Sequence, residues 1–119
     1  MNTATRKAKG KRLQKYICNL ILKVFPSLSE KDVTSIRMGR PGEDVQLSNI
    51  AKKFFPYSIE CKNQERMQYL WSAYEQAMSN AKGLEPIVAL KINQKKPLIL
   101  VDAEYFINLH ANISILKNI

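Results

Sequence analysis

Glu60-Cys61-Lys62 places a carboxylate and an ammonium two residues apart, with a second carboxylate, Asp44, sixteen residues before Glu60. In a β-strand, alternate side chains share a face. A strand over Tyr57 to Lys62 therefore puts Ser58, Glu60 and Lys62 on one side and Tyr57, Ile59 and Cys61 on the other. Asp44-Val45-Gln46-Leu47 alternates in the same way, with Val45 and Leu47 inward and Asp44 and Gln46 outward. If the two strands pair, Asp44, Gln46, Glu60 and Lys62 form one polar cluster. Two carboxylates and a lysine on a sheet surface suit a hard divalent cation and a polarised water. The plainer alternative is a surface salt-bridge cluster, which carries little energetic weight.

The charge is unevenly placed. The chain carries a net +9, and its first 29 residues hold Arg6, Lys7, Lys9, Lys11, Arg12, Lys15 and Lys23 without a single acid. Such a segment attracts a polyanion and gains from counterion release. The alternatives are a solvated basic tail or attraction to anionic lipid. Arg37 precedes a Gly/Pro-rich loop, Gly39-Arg40-Pro41-Gly42, which is either only a tight turn or, through Arg40, a phosphate contact.

Elements must position these residues. At 119 residues the chain is long enough for one core. The spacing of Leu13, Ile17, Leu20, Ile21 and Val24 predicts a helix from Lys11 to about Phe25, stopped by Pro26, after a frayed basic arm over residues 1–10. Short strands are expected at Val33 to Arg37 and Glu43 to Leu47. A helical turn capped by Ser48 or Asn49 follows, then the strand Tyr57 to Lys62. A long helix is expected from Gln64 to Ala81, ended by Gly83, with Trp71 and Tyr74 facing the core. Strands at Ile87 to Ile92 and Leu98 to Val101 and a C-terminal helix from Asp102 or Ala103 complete the order. The mixture implies a central sheet flanked by helices, with the long helix as a crossover between strands.

The order αβββαβ, the acid on the second strand and Glu-x-Lys on the third resemble the PD-(D/E)xK nuclease superfamily over roughly residues 11–101. Gly42-Glu43-Asp44-Val45 followed by Ser58-Ile59-Glu60-Cys61-Lys62-Asn63 is most similar to small phage-type nucleases and to Holliday-junction resolvases. No Pro-Asp dipeptide is present, and no acid precedes Glu30, where such resolvases carry one in the first helix. The resemblance implies an α/β fold with a restriction-endonuclease-like core in a single nuclease-like domain over 11–119. It implies a Mg²⁺- or Mn²⁺-dependent deoxyribonuclease acting on structured or branched DNA of a phage or mobile element. Asp44, Glu60 and the Cys61 backbone carbonyl would ligate the metal, and Lys62 would orient water and stabilise transition-state charge. Glu43, Gln46 and Gln76 are accessory candidates. Arg6, Lys7, Lys9, Lys11, Arg12, Lys15, Arg37 and Arg40 are DNA-binding candidates. The alternative is a non-catalytic nucleic-acid-binding module that keeps the fold.

Cys18 and Cys61 have neither metal-ligand nor disulfide spacing, which fits a reduced, cytoplasmic setting. No apolar run nears the roughly 20 residues that span a bilayer, and no cleavage-site pattern follows the basic start. His110 is expected at the surface, and Cys61 in a buried strand without a catalytic part. A homodimer is expected if a junction is the substrate, through the apolar arc Tyr16, Ile17, Leu20, Ile21, Val24 or through Ile113-Ser114-Ile115-Leu116. Alternatively, both segments only cover the sheet.

Overall fold

The structure, a computed structural model, describes residues 3–37 and 40–117. It is a mixed α+β chain with α1 (Thr3–Val24), β1 (Val33–Ser35), β2 (Val45–Leu47), α2 (Asn49–Phe54), α3 (Gln68–Asn80), β3 (Val88–Leu90), β4 (Leu98–Leu100) and α4 (Ala103–Lys117). A single 3-10 turn, Glu65–Met67, precedes α3. Two compact units result. One is built from the chain up to Asn63 and from Ile107 onward, the other from Gln64–Phe106. Among the described residues no helix is long and apolar enough to cross a membrane.

In the first unit α1 packs against β1 and β2. Its apolar residues recur at helical spacing, and Cys18, Leu20, Ile21 and the following Phe25 are buried. Ile17 and Val24 are half-buried and Tyr16 is exposed, so most of the arc offered as a dimer surface covers the sheet. Side chains beyond Ile113 lie outside the described residues. The helix starts at Thr3, not at Lys11 after a frayed arm. Ala4, Arg6, Lys7, Ala8 and Lys9 are good helix formers, and that preference outweighs the repulsion among their charges. It ends at Val24 because the residue before Pro26 is pushed out of helical geometry.

β1 and β2 pair antiparallel, Val33 with Leu47, Thr34 with Gln46 and Ser35 with Val45. Val33 and Val45 are buried and Gln46 is exposed, as the alternation requires. Asp32 fixes the entry to this hairpin. Its carboxylate accepts from the Ser29 amide at 2.8 Å and from the Ser48 hydroxyl at 2.8 Å. Its carbonyl accepts the Ser48 amide at 2.8 Å. The Ser29 amide, first among these donors, holds the Asp32 carboxyl below its ordinary value. Ser48 also caps α2, its hydroxyl accepting the Ala51 amide at 3.1 Å.

The expected third strand is reduced to one antiparallel bridge, Val45 with Ile59. The expected central sheet is represented by two separate two-stranded ladders, β1–β2 and β3–β4. In the second unit β3 and β4 pair Val88 with Leu100, Ala89 with Ile99 and Leu90 with Leu98. α3 packs against β3. Gly83, at φ +88°, follows α3 in the left-handed region that lets the chain turn away. Trp71, expected in the core, is 56% exposed, and Tyr74 is half-buried.

Candidate functional site

Asp44 is the hinge of the site. Its carbonyl accepts the Ile36 amide at 3.0 Å on the β1 side, and its own amide donates to the Ile59 carbonyl at 3.0 Å on the other. The Val45–Ile59 bridge would next set Glu43 against Cys61. Instead the Cys61 amide donates to Asp44 Oδ2 at 2.6 Å. The Glu43 carbonyl is taken by the Gln46 side-chain amide at 3.1 Å. The carboxylate thus intercepts the next ladder bond, which explains why pairing stops after Ile59. Gly42, at φ +124°, turns the chain just before Asp44, and a Cβ there would lie 3.1 Å from Gln46 Nε2.

The two halves of the sequence motif are therefore adjacent. Asp44 is half-buried, Cys61 is half-buried, and Glu60 and Lys62 are exposed on the segment that Asp44 holds. Cys61 is neither fully buried nor in a strand, which corrects its expected setting. Burial, and then the charges of Asp44, Cys18 and Glu60, push its thiol up to about 11. Cys18 is also raised by burial, so neither cysteine is a poised nucleophile. Gln46, an accessory candidate, donates its side-chain amide to the Glu43 carbonyl. Gln76 is exposed on α3, in the second unit.

The basic helix adjoins this hinge. Lys11 Nζ donates at 3.0 Å to the carbonyl of Ile36, whose amide already bonds Asp44. The side chain of Asn63, directly after Lys62 in the chain, donates to the Lys9 carbonyl at 3.4 Å. Asn63 thus joins the motif segment to α1. Arg6, Lys7, Arg12 and Lys15 are exposed, as are Arg37 and Arg40.

His110, expected at the surface, is half-buried. Its Nε2 lies 2.6 Å from the Tyr57 hydroxyl, and its ring meets Phe55 and Tyr57 edge-on at 5.3 and 5.1 Å. No local signal joins residues 53 apart, so this pairing is not legible in sequence. Ser29-Glu30-Lys31-Asp32 reads in sequence as a turn or a short helical start; the Ser-x-x-Asp spacing is the available clue to the larger part of Asp32.

Among the described residues no group of three or more His, Cys, Asp or Glu gathers to hold a metal ion. Asp44 and Glu60 are the two acids whose charges act on Cys61. Mg²⁺ ordinarily takes one or two carboxylates together with substrate phosphate and water. Searched by sequence and by structure, the chain matches no family model, no curated protein and no solved structure.

The raised thiol gives a direct probe of this geometry. With its thiol pushed up to about 11, Cys61 is expected to react slowly with iodoacetamide at about pH 8, the rate climbing about tenfold per pH unit below that value. Asp44→Asn removes one of the raising charges and is expected to speed alkylation at any fixed pH between about 8 and 10. Peptide mapping of folded wild-type and variant protein measures both rates. Equal rates would place the Asp44 charge away from Cys61.

Proposed function

We propose that this protein is a metal-dependent DNA endonuclease with the αβββαβ core of the PD-(D/E)xK superfamily, acting on structured or branched DNA of a phage or mobile element inside the host cell. The carrying observation is a pair of hydrogen bonds, the Asp44 amide donating to the Ile59 carbonyl and the Asp44 carboxylate accepting from the Cys61 amide, which ties an acid to Glu60-Cys61-Lys62. Asp44, Glu60 and the Cys61 carbonyl would hold Mg²⁺ or Mn²⁺. When bound, the ion supplies Lewis-acid polarisation of a phosphodiester and a water of lowered pKa. Lys62 places a cation where charge develops on phosphorus. Lys11 and Asn63 hold the basic helix beside this segment, so phosphate contacts and the acids serve one substrate. Such contacts give position and affinity without reading sequence.

A second reading rests on the lack of a third acidic, histidine or cysteine ligand among the described residues. It makes the chain a nucleic-acid-binding module without catalysis. A cleavage panel of linear, nicked, flapped, single-stranded and four-way DNA, with Mg²⁺, Mn²⁺ or chelator, separates the two. The nuclease reading expects metal-dependent cutting of at least one branched form. Tight, salt-sensitive binding with no cut under any metal would leave the binding module.

A further inference from the structure

The second unit, Gln64–Phe106, differs in surface chemistry from the rest of the chain. None of its side chains is buried. The β3–β4 register puts Val88, Leu90, Leu98 and Leu100 on one face, where Val88, Leu90 and Leu100 are half-buried and Leu98 is 55% exposed. Ala89 and Ile99 pair on the other face, with Ile87 beside them by alternation; Ile87 is 54% and Ile99 57% exposed. A sheet with one face in water ordinarily alternates to polar residues there. This one shows Ile87, Ala89 and Ile99. A two-stranded hairpin is marginal alone, and among the described residues β4 has a strand partner on one edge only.

Charge narrows what completes it. Gln64–Phe106 holds five Lys or Arg and five Asp or Glu, so the whole net +9 falls on the remainder of the chain. The neutral unit does not draw a polyanion, and it sets no net charge against a copy of itself.

The segment around β4 is also complementary to itself. Lys96-Pro97-Leu98-Ile99-Leu100-Val101-Asp102 is arranged symmetrically about Ile99. Run antiparallel to its own copy, it sets Leu98 opposite Leu100, Pro97 opposite Val101, and Lys96 opposite Asp102 at both ends. Opposite charges directly across a strand pair favour pairing. Lys96 and Asp102 are exposed. The Asp102 carboxylate caps α4 through Oδ2, accepting the Tyr105 amide at 2.8 Å, so its negative charge is held at that end of the segment.

We propose that β4 is the docking edge for a second copy of this chain, with Ile99 on the two-fold axis and β3–β4 extended to four strands. Isologous contact requires such a self-complementary patch, and added strands are a common mode of recognition. The inference stands independently of the nuclease reading.

Two measurements test it on the full chain. Sedimentation equilibrium is expected to show a wild-type dimer, and Lys96→Glu, which sets two acids against each other at both ends, is expected to weaken it about tenfold or more. Ile99→Cys under mild oxidation is expected to give a cross-linked dimer on a non-reducing gel, because a residue on the axis faces its own copy. Wild-type protein treated alike, carrying only Cys18 and Cys61, serves as the control. A wild-type monomer at all accessible concentrations overturns the proposal. A dimer that is indifferent to Lys96→Glu and gives no Ile99→Cys cross-link overturns it equally, by placing the contact elsewhere.

Discussion

Asp44→Asn is expected to lower DNA cleavage on the order of 10³-fold while leaving the fold in place, and Glu60→Gln and Lys62→Ala are expected to do the same. The choice of asparagine follows from the hydrogen bonding. Asn retains an oxygen that accepts the Cys61 amide, so the 2.6 Å hydrogen bond has a replacement while the charge disappears. Asp44→Ala removes both and leaves the half-buried Cys61 amide without its partner, at about 1–3 kcal/mol. Activity abolished in both variants with stability reduced only in Ala would assign the charge to chemistry and the oxygen to structure. Glu60 and Lys62 are exposed, so their substitution should leave thermal unfolding unchanged. The measurements are single-turnover cleavage with Mg²⁺ alongside circular dichroism melts. Wild-type rates in any one folded variant would remove that residue from the mechanism.

The second large effect concerns binding. Replacing Arg6, Lys7, Lys9, Arg12 and Lys15 together by Gln is expected to flatten the logarithmic salt dependence of DNA affinity by roughly 0.9 for each phosphate the protein no longer neutralises. If all five side chains neutralise a phosphate, affinity at about 50 mM salt should fall on the order of 10²-fold or more. Substitution is preferable to deletion because the segment is part of α1 and Lys9 offers its carbonyl to Asn63. Lys11 is left in place because its ammonium bonds the Ile36 carbonyl and its removal would disturb β1 as well. Fluorescence anisotropy across a salt series reads the slope. An unchanged slope would show that the helix carries positive charge without meeting DNA.

Local rules are legible in the sequence. The apolar spacing of α1, the Ser48 cap, the β1–β2 alternation and the left-handed Gly83 are each set by a few neighbouring residues. That Asp44 lies beside the Glu60-Cys61-Lys62 segment also follows from pairing two alternating segments, but its bond to the Cys61 amide does not, since alternation sets Asp44 with Glu60 and Lys62. The full third strand does not follow. Its alternation is sound, but a side-chain carboxylate outcompetes the backbone carbonyl for the Cys61 amide, and periodicity has no term for that competition. Trp71 has helical spacing suited to a core, yet spacing says nothing about what lies opposite a helix face. The ring packing of His110 with Tyr57 depends on the path of the whole chain between them. The catalytic assignment likewise rests on residue type, since an acid pair beside a lysine is defined in sequence but its ion is not.

The first unit is interrupted by the second in chain order, and this constrains how the protein is made. Its core includes Ile107, 3% exposed, on the far side of the Gln64–Phe106 insertion from Phe55 and Val45. Everything up to Asn63 must therefore wait on the ribosome for that insertion to emerge before its last core residue arrives. Closing a flexible loop of that length costs about 3 kcal/mol in chain entropy beyond a constant. An insertion that has already formed its β3–β4 hairpin and α3 shortens the effective loop, so early local folding of the middle of the chain helps its two ends meet. Joining Asn63 to Ile107 by a short linker would turn this delayed, long-range closure into a local one.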